Sequence, residues 1–230
     1  MSANQLEIIN KMISQQNNYK NQFQSKHIIF LSMFCMMIMI CKSIFSYRLI
    51  EIAGFTLQAG QLVAPLWFTT SDIIAEVYGY KIARNILIAG LFCQMIFSTI
   101  CILLTRLPHP LFWHGEAAFQ TVLGEMWRVS LAVLFSFFIS GIINIKLISK
   151  WKLLLNGKYF WLRSIGASGL SEILYSVFAT TIIQYGKLNL SVIFSIIIAS
   201  ASLKLIYAII LALPAQIIAF LIKKSEKNNI

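Results

Sequence analysis

Six stretches of the chain stay apolar over about the ~20 residues a helix needs to cross ~30 Å of hydrocarbon, and nothing else in the sequence restricts the fold so much. They run over about 28–47, 59–78, 86–105, 129–148, 164–185 and 190–222. A helix pairs its own backbone polar groups, which is why lipid admits it. Of the 230 residues, 58% are hydrophobic and 12% charged. Soluble domains carry about 25% charged residues, so this charge is too sparse to solvate a globular surface. The expectation is an all-α polytopic integral membrane protein, six transmembrane helices in one bundle. Residues 1–27 are read as a polar tail, 28–222 as the membrane domain and 223–230 as a second tail.

The net charge of +11 raises the question of nucleic acid, but the basic residues flank apolar runs and form no stripe of their own. No nucleic-acid partner is expected; the partners are the lipid bilayer and a small molecule, with homo-oligomerisation left open. Cys35, Cys41, Cys93 and Cys101 all fall inside apolar runs and read as small buried side chains, without disulfide or metal-ligand spacing. No cofactor and no metal is expected. No histidine neighbours a nucleophile within a span, and no phosphate-binding loop is present, so the chain is not read as an enzyme.

Short cytoplasmic loops accumulate Lys and Arg. With the amino terminus inside, thirteen of the nineteen basic residues fall on the inner side and only Arg48, Arg106, Arg128 and Lys187 on the outer. Both termini are therefore placed in the cytoplasm, across a bacterial-type inner membrane. The remaining two, Lys42 and Lys204, fall within spans. Lys42 lies near the outer end of the first and is expected to snorkel. Lys204 lies too deep for that and needs a buried anion.

Ionisable groups at membrane depth suggest function when they face the bundle interior. Asp72 and Glu76 stand at i and i+4 on one helix face. Glu172 lies in an otherwise apolar run, behind the small residues Gly166, Ser168 and Gly169, which permit close helix approach. Asp72, Glu76 and Glu172 are the anions available to Lys204. A charge-compensated pocket walled by Trp67, Phe68, Tyr78, Tyr175 and Phe178 would suit a flat heteroaromatic solute, whose N–H groups carboxylates accept. The same chemistry would suit a proton relay.

The run from Pro65 to Arg84, PLWFTTSDIIAEVYGYKIAR, resembles the signature of the queuosine precursor transporters, also called the vitamin uptake transporter family. Arg163 followed by small residues and an acid at Glu172, and Lys204 ten residues before Pro214, fit the same pattern, and the resemblance extends from about Leu31 to Lys224. The family more often has aspartate at the position of Glu172 and threonine at that of Ser71. The resemblance implies six helices and uptake of 7-deazaguanine precursors of queuosine, the cyano and aminomethyl bases or queuine. Asp72, Glu76, Trp67, Tyr78, Arg163, Glu172 and Lys204 are the expected substrate-binding residues. An alternative role is the substrate-binding membrane subunit of a larger energy-coupled transporter, for which Gly166, Ala167 and Gly169 would supply a docking face.

Placement of the basic residues predicts that the Lys146–Arg163 loop is cytoplasmic. In a background lacking the native cysteines, Asn156→Cys should resist an impermeant thiol reagent added to intact cells and react after lysis. Labelling from outside would invert the topology.

Overall fold

A computed structural model describes residues 26–228 apart from 53 and 111, with side chains to Ser225. The helices are α1 (Lys26–Ile44), α2 (Ala64–Tyr78), α3 (Tyr80–Thr105), α4 (Glu116–Leu123), α5 (Met126–Leu154), α6 (Phe160–Gln184) and α7 (Leu190–Asn228). Among the described residues, five helical stretches are long and apolar enough to cross a membrane: α1, α3, a stretch over Glu116–Leu154 that contains α5, α6, and α7 as far as Ser225. Their outward faces are bare hydrocarbon: Phe30, Phe92 and Phe194 are each about two-thirds exposed. The chain is an all-α, multi-spanning bundle.

The second expected span takes a different form. Residues Ala59–Leu62 make a turn of 3₁₀ helix, and α2 itself has fifteen residues. At ~1.5 Å per residue it is ~22 Å long, short of the hydrocarbon thickness. Twelve of the fifteen residues are buried, and α2 touches every one of α1, α3, α5, α6 and α7. A helix buried all round meets protein rather than lipid, so this one can be short and can carry Thr70, Ser71, Asp72 and Glu76 inward.

Two pieces of local structure lie outside the helical expectation. Leu49–Ile52 and Phe55–Gln58 pair as an antiparallel hairpin, in register from Leu49 with Gln58 to Ile52 with Phe55. Gly54 supplies the positive φ (80°) that its two-residue connection needs. Within the 106–128 connection, Glu116–Leu123 forms the exposed helix α4, tied to the end of α3 by Gln120, whose amide donates to the Thr105 carbonyl at 2.5 Å.

The turn between α2 and α3 is one residue, Gly79, at φ 89° and ψ 172°. That region is essentially closed to a side chain. Helix α3 therefore starts at Tyr80 rather than near 86, and Lys81 and Arg84 lie in its first turns. Helix α7 is longer than its expected span: it passes through Pro214, which is on the exposed side, and stays helical to Asn228. Ala208, Ala212, Ala215 and Ala219 face inward and let it lie close to the bundle.

Contacts between helix ends separate two faces. On one, His27 meets Ser225 across 3.3 Å, and the ends of α2, α5 and α7 gather around the start of α6. On the other, Arg128 at the start of α5 donates through Nε to the Ile182 carbonyl (2.8 Å) and through Nη2 to that of Tyr185, and Lys187 pairs with Glu125. Tyr47 lies under Lys187 on this face; burial and the neighbouring Glu125 carboxylate push its phenol up from its ordinary range. The expected tail over 1–27 falls outside the described residues as far as 25.

The small residues of α6 are spent inside the bundle. A Cβ on Gly166 would lie 2.6 Å from the Trp151 ring, one on Gly169 would lie 3.0 Å from Leu205, and Ala167 is fully buried. These three residues thus serve helix packing within the chain.

Gly60 is packed tightly against the backbone of α1. A Cβ there would sit 2.5 Å from the Lys42 carbonyl oxygen, while the Gly60 N–H donates to Phe45 (3.2 Å). Gly60→Ala should destabilise the bundle by roughly 1–3 kcal/mol, the usual range for overpacking. Thermal unfolding in detergent reads this directly; a melting temperature equal to wild type would refute the close approach.

Candidate functional site

Helix α6 carries a polar residue at every fourth position: Ser164, Ser168, Glu172, Ser176, Thr180 and Gln184. At 3.6 residues per turn such a row winds by about 40° per step, about 200° from Ser164 to Gln184, and all six are buried, so protein surrounds this stripe as it winds. Its first half turns toward α2, which runs antiparallel to α6. Glu76 accordingly meets the start of α6, Asp72 its second turn, and Phe68 meets Tyr175, with ring centroids 6.3 Å apart.

At the first level Glu76 is surrounded by cations. Arg163, fully buried, donates to its Oε2 at 2.9 Å; Lys223 of α7 reaches Oε1 at 2.5 Å and Lys152 of α5 lies at 3.8 Å. Arg163 spends its other N–H groups on the Lys158, Gly157 and Ile148 carbonyls, at 3.1, 3.3 and 3.4 Å. This pins the α5–α6 loop, where Asn156, Gly157 and Tyr159 all have positive φ. Glu76 is thus paired by Arg163, Lys152 and Lys223, not by its sequence neighbours Lys81 and Arg84. A cleft of about 640 Å³ opens beside the group, lined by Lys158, Tyr159, Phe160 and Gln216 together with Glu76 and Lys223.

One turn further in, Asp72 is fully buried and held without any cation in contact. The Asn144 amide donates to Oδ1 at 2.6 Å, and Ser164 and Ser168 donate to Oδ2 at 2.5 and 2.7 Å. A carboxylate has about four lone-pair sites. Three are filled, and one on Oδ1 remains.

The third level is aromatic and charged. Trp67, Phe68, Phe137 and Tyr175 pack together, with the Trp67–Phe137 and Phe137–Tyr175 centroids both at 4.6 Å. Lys204 of α7 is fully buried, donates to Ser176 Oγ at 2.7 Å and stands 4.7 Å from the Tyr175 centroid. Glu172 is the carboxylate whose field reaches it, but the two make no ion pair within 4 Å among the described residues. Lys204 does not snorkel, as expected, though its direct partner is a hydroxyl rather than one of the three acids. Glu172 Oε2 is buried without a hydrogen-bond partner.

Lys42 departs from expectation. It is 2% exposed, and its ammonium lies 3.3 Å from the Tyr175 centroid and 4.3 Å from that of Phe137. It points into the bundle because it occupies the inward face of α1, in line with Cys35, Ile38 and Met39; facing, not depth, sets its direction.

The seven residues expected to bind substrate thus fall into two groups. Trp67, Asp72, Glu172 and Lys204 lie in the interior, whereas Glu76, Tyr78 and Arg163 lie at the face. Tyr78 is eleven residues along α2 from Trp67, ~16 Å at the helical rise, so the two cannot hold one flat ring between them. Phe178 is also outside the interior group, packed edge-on against the exposed Phe135. Sequence reasoning passed over Asn144, Ser164, Lys152 and Lys223. The period of four along α6 was the signal for Ser164; a neutral amide in an apolar helix offered none for Asn144.

Arg163 cannot be replaced by charge alone, because its fork serves Glu76 and three carbonyls together. Arg163→Lys should lower stability by roughly 2 kcal/mol, the range for hydrogen bonds to charged groups. Arg163→Met should lower it by roughly 3–5 kcal/mol, the cost of breaking a buried pair. Melting of the purified variants checks the order; wild-type stability in both would exclude the role.

Residues 58–219, well over half of the chain, match the family described as “Putative vitamin uptake transporter”. The chain is also similar to the “Probable queuosine precursor transporter” of Bacillus subtilis (strain 168), 24% identical over 153 residues. That match covers 64% of this chain and 64% of the relative's length. No solved structure matches it significantly. The family is one of transporters, not of catalysts. A multi-spanning bundle with buried charges at three levels, and a family match through α2 to α7, make this chain a member of the vitamin uptake transporter family.

Proposed function

We propose that this protein imports queuosine precursors, 7-deazaguanine bases such as 7-cyano-7-deazaguanine, 7-aminomethyl-7-deazaguanine or queuine, across a bacterial inner membrane. Its α2 serves as the sixth crossing within one domain over 28–222, and both termini are cytoplasmic. The observation that carries this reading is the interior constellation itself. Two carboxylates, Asp72 and Glu172, stand one level apart on facing helices, both with acceptor capacity left, beside a fully buried Lys204 and the Trp67–Phe68–Phe137–Tyr175 aromatics. A 7-deazaguanine is flat, so rings can pack on it, and it presents adjacent N–H groups that a carboxylate accepts. The name of the Bacillus subtilis relative supports the same substrate class.

Glu76, Tyr78 and Arg163 belong on this reading to the mouth through which the base reaches the cytoplasm. Asp72 is the principal recognition group. Its three neutral donors fix the carboxylate in place, which lowers what a ligand must order on binding, and the open site on Oδ1 is left for a ligand N–H.

Asp72→Asn keeps the shape and the internal bonds, since Ser164 and Ser168 can accept as well as donate. This variant should melt near wild type and bind 7-cyano-7-deazaguanine at least about tenfold more weakly, ~1.4 kcal/mol. Glu76→Gln should act on stability rather than on affinity. The paired assay is uptake of the labelled base by cells unable to synthesise it, with and without the protein. No gain in uptake would reject the substrate class, and wild-type affinity in Asp72→Asn would pass the recognition role to Glu172.

A further inference from the structure

Lys42 lies outside residues 58–219, the part of the chain that the family match covers. Its side chain is the most unusual in the interior. A lysine buried to 2% exposure normally has its three N–H donors met, because an unmet buried charge is strongly unfavourable. Among the described residues the Lys42 ammonium has no hydrogen-bond partner; it has ring faces, the Tyr175 centroid at 3.3 Å and that of Phe137 at 4.3 Å. Cation–π attraction offsets part of the lost hydration and leaves the donors unused. The Tyr175 hydroxyl and Glu172 Oε2 are buried without partners as well.

These groups are arranged about Tyr175. Glu172 and Tyr175 are three apart on α6 and share its inward face, and the Lys42 ammonium lies against the Tyr175 ring. Lys204 differs, since it has already committed one donor to Ser176. An unused donor thus stands on the face of the ring, with an unused carboxylate oxygen one turn away along α6. Its complement is a planar edge that offers a carbonyl acceptor beside N–H donors. A base with an amino group in place of the carbonyl would turn a donor toward the ammonium.

We infer that Lys42 is a substrate-contacting and specificity-determining residue, donating to the ring carbonyl of the transported base while Glu172 accepts from the adjacent ring N–H and another N–H of the base is left to Asp72. The inference rests on the proposed substrate class and adds the reason an oxo base would be chosen over an amino base. In a site built to hydrogen-bond a substrate group, the analogue lacking it leaves buried polar atoms unpaired, and discrimination can reach on the order of 10⁴.

The test compares 7-cyano-7-deazaguanine with its 6-amino counterpart, 7-cyano-7-deaza-2,6-diaminopurine, by calorimetry on the purified full chain. Wild type should prefer the oxo base at least about tenfold, and Lys42→Met should narrow that preference by weakening the oxo base alone, leaving the amino base within about threefold; the preference that remains is that of Glu172 for N1, which bears a hydrogen in the oxo base and none in the amino base. If wild type binds the oxo base and Lys42→Met binds it equally well, Lys42 is not a contact, and the substrate class stands without it. Equal weakening of both bases would also overturn the inference, since it would make the lysine a structural or long-range charge. If Lys42→Met does not fold, Lys42→Arg carries the same comparison: a changed oxo-to-amino ratio supports the contact, an unchanged ratio overturns it. Failure of wild type to bind either base rejects the substrate class and the inference together.

Discussion

Asp72 is a carboxylate buried within a membrane bundle with no cation touching it among the described residues. Its ionised form depends on three neutral donors, one amide from α5 and two hydroxyls from α6. Because the three come from two helices, the hydrogen bonds fix the distance and rotation of α2, α5 and α6 relative to one another. The aromatic cluster one level further in joins the same three helices through Phe68, Phe137 and Tyr175. Apolar packing alone would constrain this less, since helices in lipid gain little hydrophobic free energy by touching each other. Polar bonds give the bundle its register, and the small residues of α6 let the helices come close enough to make them.

The interior then grades from one face to the other. Cations outnumber the carboxylate around Glu76, neutral donors surround Asp72, and lysines and Glu172 share an aromatic setting beyond it. Each carboxylate is served by a different kind of partner, and the completeness of the service falls along the row. Glu76 has three cations, Asp72 three neutral donors, and Glu172 an oxygen with none. Buried polar atoms without partners are uncommon in folded proteins. Among the described residues, those at Lys42, Glu172 and Tyr175 stand about the aromatic level, where a polar solute is a natural complement.

Much of this could be read before any coordinates. Runs of apolar residues announce spans because lipid tolerates little else, and the Asp72–Glu76 spacing put both acids on one face. What escaped has physical causes. The hairpin at Leu49–Gln58 is too short and too apolar to stand out between two spans. A hydropathy window treats α2 as an ordinary crossing, since it cannot register that the helix is surrounded by protein. Lys42 was judged by its distance from the end of α1, but whether a lysine snorkels depends on the face it occupies. Lys152 and Lys223 were counted as loop charge setting orientation, and they are also partners of Glu76. The period of four along α6 was present throughout; its hydroxyls read singly as packing residues, and only the row as a whole reads as a lining.

The partners of Glu76 are unequal in mobility. Arg163 is fully buried and tied to three carbonyls, whereas Lys223 is two-fifths exposed and sits near the end of a helix that runs past the bundle. Withdrawing Lys223 would leave Arg163 and Lys152 on the carboxylate, so the charge of Glu76 would stay paired. The same helix carries Lys204 nineteen residues nearer its start, with Pro214 between the two lysines. The ring of Pro214 leaves one helical hydrogen bond unmade, so the interior charge and the cation at the face sit on two segments of α7 that can bend against each other.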